Sequence, residues 1–285
     1  MTTAMDVLGP GHVAVVTGAA SGIGLAAVRA FVRRGMSVVL ADRDETTLAL
    51  AMAEFAGAEA SVLARPLDVA DRAALETLRD EVMGRFGAVH LLMNNAGIQP
   101  GSALFSPVED WERILAVNLW GIIHGTQVFV PAMLESGQPG LVINTGSKQG
   151  ITTPPGDPAY NVSKAAVKTF TEALQHDLRG RDGCRISAHL LIPGFVFTRL
   201  TAKGRLDQPD GAWTPDQTVA FMLERLEDGD FYILCPDNET PRALDEKRMA
   251  WAMGDIIENR PPLSRWHPDH AEAFRTFLKK APAAQ

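Results

Sequence analysis

With 285 residues, 46% of them hydrophobic and 21% charged, the chain has ordinary globular composition, which excludes an intrinsically disordered or fibrous protein. Its 27 Lys and Arg against 34 Asp and Glu leave a formal net charge of −7, and no nucleic-acid partner is expected, because such binding draws on a basic face. Cys184 and Cys235 are its only two cysteines, too few for a disulfide framework, and neither a signal-like leader in Met1 to Pro10 nor a membrane-length apolar run is read, so a cytoplasmic location without membrane contact is expected.

Short apolar runs alternate with amphipathic stretches, the pattern of βαβ units around a parallel sheet. The spacing predicts a strand over His12–Val16, a helix over Gly22–Arg34 and a second strand over Ser37–Ala41 that ends at Asp42. A helix over Asp44–Ala56 and a strand over Val62–Pro66 follow. Asp71 then caps a helix that presents Leu75, Leu78, Val82 and Phe86 on one face, and Val89–Met93 is read as the fourth strand. Ser106-Pro107-Val108-Glu109 reads as a capping box with proline at the first helical position, opening a long helix with Asn118 well inside it. Leu141–Thr145 is the fifth strand, and a helix holding Tyr160 and Lys164 runs to about Arg179, before Gly180. Arg185–Ile192 and Phe231–Cys235 are the sixth and seventh strands.

Between those two, Arg199–Trp213 is polar and rich in turn residues, and a lid over about 199–227 is expected. A carboxy-terminal extension over about 240–285 adds a helix from Thr240 to about Asn259, ended by Pro261-Pro262, and a short helix over His267–Lys280. One domain over 1–285 is expected, an α/β, Rossmann-like doubly wound three-layer fold with a seven-stranded parallel sheet and a helical extension.

Two constellations carry chemistry. Thr17-Gly-Ala-Ala-Ser-Gly-Ile-Gly24 falls between an apolar strand and a helix, where backbone N–H groups and the positive end of the helix dipole can hold a pyrophosphate. Tyr160 and Lys164, four residues apart, share a helix face, and Ser147 lies thirteen residues ahead of Tyr160. A free phenol titrates at about 10, and a neighbouring ammonium favours the phenolate, which suits Tyr160 to general acid–base work.

These residues, with Asp68-Val69, Asn94-Asn95-Ala96-Gly97, Asn118 and Pro193-Gly194-Phe195-Val196-Phe197-Thr198, resemble the short-chain dehydrogenase/reductase family in its compact single-domain branch, over about His12 to Thr198. The resemblance implies an NAD(P)-dependent oxidoreductase that interconverts a secondary alcohol and a ketone. In it, Tyr160 passes a proton to or from the substrate oxygen, Ser147 hydrogen-bonds that oxygen, Lys164 bonds the nicotinamide ribose, and Asn118 holds a water in a proton relay. It also places Gly18, Ser21, Gly22, Ile23 and Gly24 around the pyrophosphate and Asp68 and Val69 at the adenine. Asn95, Ala96 and Gly97 read either as a structural turn that steadies the sheet or, as the resemblance adds, as a flank of the cofactor, and Pro193, Gly194, Val196 and Thr198 meet its carboxamide. A homodimer or homotetramer is the family habit. Reduction of a C=N or C=C bond, or a catalytically silent nucleotide-sensing or scaffolding role, stand as alternatives on the same fold.

Asp42 ends the second strand eighteen residues after Gly24, where a carboxylate accepts hydrogen bonds from the adenosine ribose and repels a 2′-phosphate. With Ser rather than a basic residue at position 21, this favours NAD; Arg43, next in sequence, keeps NADP open by offering a guanidinium to a phosphate. Substrate contacts are expected from Ser147, Lys148, Gln149, Gln99, Pro100, Phe195, Phe197, Leu200 and Trp213, whose aromatics point to an apolar aryl or cyclic substrate. Lys148 reads either as an anchor for a substrate carboxylate or as a solvated loop lysine. In the tail, Trp251, Ile256, Ile257, Trp266, Phe274 and Phe277 are expected to pack on the body, to close the substrate pocket or to cover a neighbouring subunit across a dimer boundary. His267-Pro-Asp-His270 reads as a surface turn and helix start, with no metal site expected.

Overall fold

The structure, a computed structural model, describes residues 6–58 and 60–279; the leader reading over Met1–Met5 and the helix reading at Lys280 fall outside them. Seven strands, β1 (Val13–Thr17), β2 (Ser37–Asp42), β3 (Val62–Pro66), β4 (Leu91–Asn94), β5 (Gly140–Thr145), β6 (Ile186–Ile192) and β7 (Tyr232–Leu234), form one parallel sheet in the order β3-β2-β1-β4-β5-β6-β7. Residues of β1 alternate between two cores. Ala14 and Val16 join the layer of helices α1 (Gly22–Arg33) and α2 (Glu45–Ala53); Val13 and Val15 join that of α3 (Arg72–Phe86). Both faces are covered, which is why the strand reads as an unbroken apolar run. The strand order reverses between β2-β1 and β1-β4, and in such sheets the ligand crevice opens at the carboxyl ends of the strands there.

The caps follow local chemistry in most places. Asp44 accepts from Thr47 N–H and Asp71 from the N–H groups of Ala73 and Ala74, as acidic N-caps do. The predicted box at Ser106 does not form. Its hydroxyl accepts instead from Ala103 N–H, closing the preceding loop, and α4 (Val108–Leu115) starts behind Pro107 without a side-chain cap. Nor is the long helix regular: a π-helical turn at Ala116–Trp120 separates α4 from α5 (Gly121–Ser136), and Asn118 sits in that turn. Contrary to the sequence expectation, Val108–Ser136 as a whole is long and apolar enough to cross a membrane by composition; over half of its most apolar window is buried in the fold, as in the core helix of a soluble protein. Gly125 shows how closely it packs, because a Cβ there would stand 2.2 Å from Asn94 Oδ1.

After β5 come the short α6 (Gln149–Thr152) and α7 (Pro158–Arg179), the helix of Tyr160 and Lys164. The segment expected to form a lid divides in two. Its first part is a short helix, α8 (Arg199–Ala202), and an irregular stretch to Trp213; its second part, α9 (Pro215–Glu227), buries Val219, Met222, Leu223 and Leu226 against the α1 layer. Four such side chains each contribute roughly 1.5–3 kcal/mol by leaving water, so α9 belongs to the core and only the first part is free to cover a site. The extension supplies α10 (Arg242–Ile257) and α11 (Ala271–Lys279). Trp251 is buried between the rings of Phe274 and Phe277 and lies under the Arg260 guanidinium at 4.1 Å. Ile256 and Ile257, expected to pack, are more than three-quarters exposed; the helix meets the body through Asp245, on Lys148, and Met249, on the core beside β6, while Trp251 packs within the extension.

Candidate active site

A cleft of about 710 Å³ opens at the carboxyl ends of the strands, over the switch point. One end is the glycine-rich turn. Thr17, the last residue of β1, accepts the N–H groups of both Asn95 and Ala96 on its hydroxyl, and Asn95 returns its amide to the carbonyls of Thr17 and Gly18. That double stitch leaves no room for side chains. A Cβ on Gly18, whose φ is +62°, would stand 2.7 Å from Ala96 Cα, and one on Gly24 2.1 Å from Gly18 O. Only glycine closes this turn, and the cradle it makes fits a dinucleotide pyrophosphate at the start of α1.

Asp42 is fixed beside that turn. One carboxylate oxygen accepts from Ala20 N–H at 3.0 Å and the other from Asp44 N–H at 3.1 Å, so the acid stands at the end of β2 in one orientation. Arg43 is exposed at the cleft rim. The wall continues through Ser21, Gly22, Ile23, Asp68, Val69, Ala96 and Gly97 on one side and Pro193, Gly194, Val196 and Thr198 on the other. Gly24 and Asn118 stand behind the lining, not in it.

At the opposite end Ser147, Tyr160 and Lys164 share the floor. Gly150 lets α6 lie against α7, since a Cβ there would meet the Lys164 carbonyl oxygen at 2.5 Å. The Ser147 hydroxyl accepts from Gln149 N–H at 3.1 Å. Burial pushes the Tyr160 phenol up to about 12, a hydrogen bond with Ser147 draws it partly back, and the charge of Asp157 adds to the rise. Lys164, also buried, is pushed down to about 8 by loss of solvent. Its ammonium donates to the carbonyl of Thr145 at 2.8 Å and lies 5.8 Å from the Tyr160 ring centroid. The Lys164 ammonium, expected to favour the phenolate, does not prevail: burial raises the phenol, and the opposing hydrogen bond comes from Ser147.

Asn118 is bound at both ends of its amide. Its Oδ1 accepts from Ile98 N–H at 2.8 Å, and its Nδ2 donates to Ile98 O at 2.9 Å and to Ser163 Oγ at 3.2 Å. It clamps the loop after Gly97 to α7, and the π turn points it there.

Among the substrate-side expectations, Gln99, Lys148, Gln149, Phe195 and Leu200 line the cleft; Pro100, Phe197 and Trp213 do not. Trp213 is turned away because its backbone pairs with Phe195 and Phe197 and its ring packs on Phe221 of α9, centroids 5.7 Å apart. Lys148 is neither a free anchor nor solvated. Its ammonium stands 3.2 Å from Asp237 and 2.5 Å from Asp245 with only 17% of the side chain exposed. Reading the sequence missed both of those acids, and also Thr145, whose place at the carboxyl end of β5, two residues before Ser147, was the available signal. Arg199, at the start of α8, was missed too; it reaches across the cleft mouth to Asp44 and Thr47. Among the described residues no cluster of metal-ligating side chains occurs, and His267 accepts the N–H of Asp269.

Residues 12–209 match the family model for short chain dehydrogenase. A putative oxidoreductase, SadH, of Mycobacterium tuberculosis is 40% identical over a stretch covering 59% of this chain and 61% of that protein, so the chain matches less than two thirds of its length. The 1-deoxy-11-beta-hydroxypentalenate dehydrogenase of Streptomyces exfoliatus is 33% identical over 89% of this chain and 93% of its own. Among solved structures, a short chain dehydrogenase/reductase from Burkholderia phymatum in complex with NAD superposes with a TM-score of 0.81 at 33% identity, covering 90% of this chain and 97% of that one.

Proposed function

Because the chain belongs to the short-chain dehydrogenase family and is an oxidoreductase of it, we propose that it interconverts a secondary alcohol and a ketone with NAD as the preferred cofactor. One observation carries the reading: Ser147, Tyr160 and Lys164 converge on the floor of the same cleft whose far end is the glycine cradle and Asp42. A nicotinamide bound there would supply or accept the hydride.

The chain's own residues handle the oxygen and its proton. Ser147 holds the substrate oxygen by hydrogen bond. Tyr160, its phenol kept protonated by burial, donates to that oxygen in reduction and is left as the phenolate; in oxidation that phenolate, favoured by the Lys164 ammonium, takes the alcohol proton. Lys164 is fixed by Thr145 within reach of both the phenol and the cofactor face of the cleft, and it stabilises negative charge that develops on Tyr160 oxygen. Asp42, already oriented by Ala20 and Asp44, accepts from the adenosine ribose and opposes a 2′-phosphate.

Ile98, Val117, Phe195 and Leu200 give the cleft apolar lining, which supports a cyclic or aryl alcohol. The relative named as a dehydrogenase of a hydroxy compound and the NAD-bound neighbour support the same reaction class. The test is NAD-dependent oxidation of 1-phenylethanol, 1-indanol and cyclohexanol, beside NADH and NADPH binding. Turnover by the parent, with Tyr160→Phe reduced by about 10²–10⁴-fold at unchanged NADH affinity, is expected. Reduction of a C=N or C=C substrate with no alcohol turnover would replace this reading.

A further inference from the structure

Lys148 directly follows Ser147, lines the cleft and meets two carboxylates from different parts of the chain. Asp237 leaves the end of β7. Asp245 lies on α10, in the extension, with 5% exposure. The same Asp237 oxygen that faces Lys148 also accepts from Phe195 N–H at 3.2 Å, and Phe195 belongs to the Pro193–Thr198 loop. Gly194 gives these groups their space, since a Cβ there would stand 2.7 Å from Asp237 Oδ2 and 2.9 Å from Lys148 Nζ. One ammonium thus joins three segments: the loop of Ser147, the loop of Gly194 and Phe195, and the extension.

Two acids around one base at a cleft wall would be an expensive way to make a fold, because each buried charge loses its hydration. Burial raises the Asp245 carboxyl, with Lys148 opposing, whereas Asp237, also partly desolvated, is held down by the Lys148 charge and the Phe195 N–H. Arg248 on α10 and Arg265 beyond it lie near enough to Asp245 to act on it or be acted on electrostatically.

We propose that Asp245 and Asp237 are positioning residues which, through Lys148, make the carboxy-terminal extension a working wall of the nicotinamide and substrate end of the cleft. The inference rests on the dinucleotide part of the function argued above. With the ammonium held, Ser147 and the Phe195 loop keep a fixed separation, and Lys148 is withheld from a substrate carboxylate. The adenosine end, some strands away across the sheet, does not depend on it.

The experiment compares NADH with ADP-ribose, which shares every group except the nicotinamide, on the full-length protein. The unaltered protein, Asp245→Asn and the double variant Lys148→Met/Asp245→Leu are titrated with both, and thermal melting reports folding. NADH is expected to bind the unaltered protein more tightly than ADP-ribose. In both variants NADH should weaken by about fivefold or more while ADP-ribose stays within about twofold, and the double variant should show this even where its apolar pair restores the melting temperature. Unchanged NADH affinity in a folded variant, equal loss of both ligands, or equal affinities in the unaltered protein would each overturn the proposal. Turnover on the alcohols above is followed separately: its absence in the unaltered protein defeats the alcohol–ketone reading and leaves the ligand comparison decisive for Asp245.

Discussion

Lys164 illustrates how function sets the chemistry of single residues against stability. Its ammonium is fully desolvated with the Thr145 carbonyl as its hydrogen-bond partner, and burial lowers its proton affinity to about 8. A lysine whose folded value lies below its unfolded value near about 10.4 penalises the fold wherever both states are protonated, and the penalty fades as pH rises between the two values. Lys164→Met is therefore expected to raise the melting temperature at pH 7 while abolishing turnover, with the gap to the parent narrowing from pH 8 towards pH 10. A variant that melts lower at pH 7 would contradict this account of Lys164. Asp42 is the other decisive side chain. Asp42→Ala should gain NADPH use at the expense of NADH, since Arg43 is exposed at the same rim and meets no acid among the described residues. Steady-state kinetics with both coenzymes read this, and an unaltered preference for NADH would remove Asp42 from the choice. Tyr160 and Lys164 were legible from their spacing, because four residues on a helix always share a face. The fate of Lys148 was not, since its partners lie 89 and 97 positions downstream and only the fold brings them near.

At the scale of elements, the strands and their parallel pairing followed from apolar runs and their alternation with helices, and each observed strand lies within two residues of its expected ends at either side. What local reading missed has a physical cause in each case. The π turn at Ala116–Trp120 has no sequence signature, and it is held by what Asn118 grips, the Ile98 backbone and Ser163. The lid reading took in α9, because nothing local says which way its apolar side turns; the fold packs that side on the α1 layer and leaves the other to water. At the foot of β4, His90 accepts from Val13 N–H on Nδ1 at 3.0 Å and faces Gln138 on Nε2, with His12 against its ring at 4.4 Å. Burial lowers its proton affinity, as it does for His189 on β6. The unfolded chain therefore takes up protons first as pH falls, so the stability these residues permit is complete above about 6.5 and is lost as pH drops through their lower folded values. Melting temperature should fall from pH 7 to pH 5, and less so in His90→Gln. A pH-independent melting curve over that range would contradict the assignment.

Across the whole molecule, the parts divide by what they must do. The β1–β3 half builds a rigid cradle from glycines and one fixed acid, and the β4–β6 half builds the proton-handling floor. The extension, whose two helices but not whose contacts were legible in the sequence, folds around Trp251 and reaches the floor through Asp245. The exposed Ile256 and Ile257 face away from that contact, so packing of the tail on the body rests on other residues than those a simple count of apolar side chains would choose. The central claim is that this cleft carries a proton between Tyr160 and an alcohol oxygen while a nicotinamide takes the hydride. Its most direct test is NADH formation from NAD and a cyclic or aryl secondary alcohol by the parent and by Tyr160→Phe, each shown by titration to bind NADH. The account predicts turnover by the parent and its near loss in the variant at equal affinity; equal rates in both would contradict it.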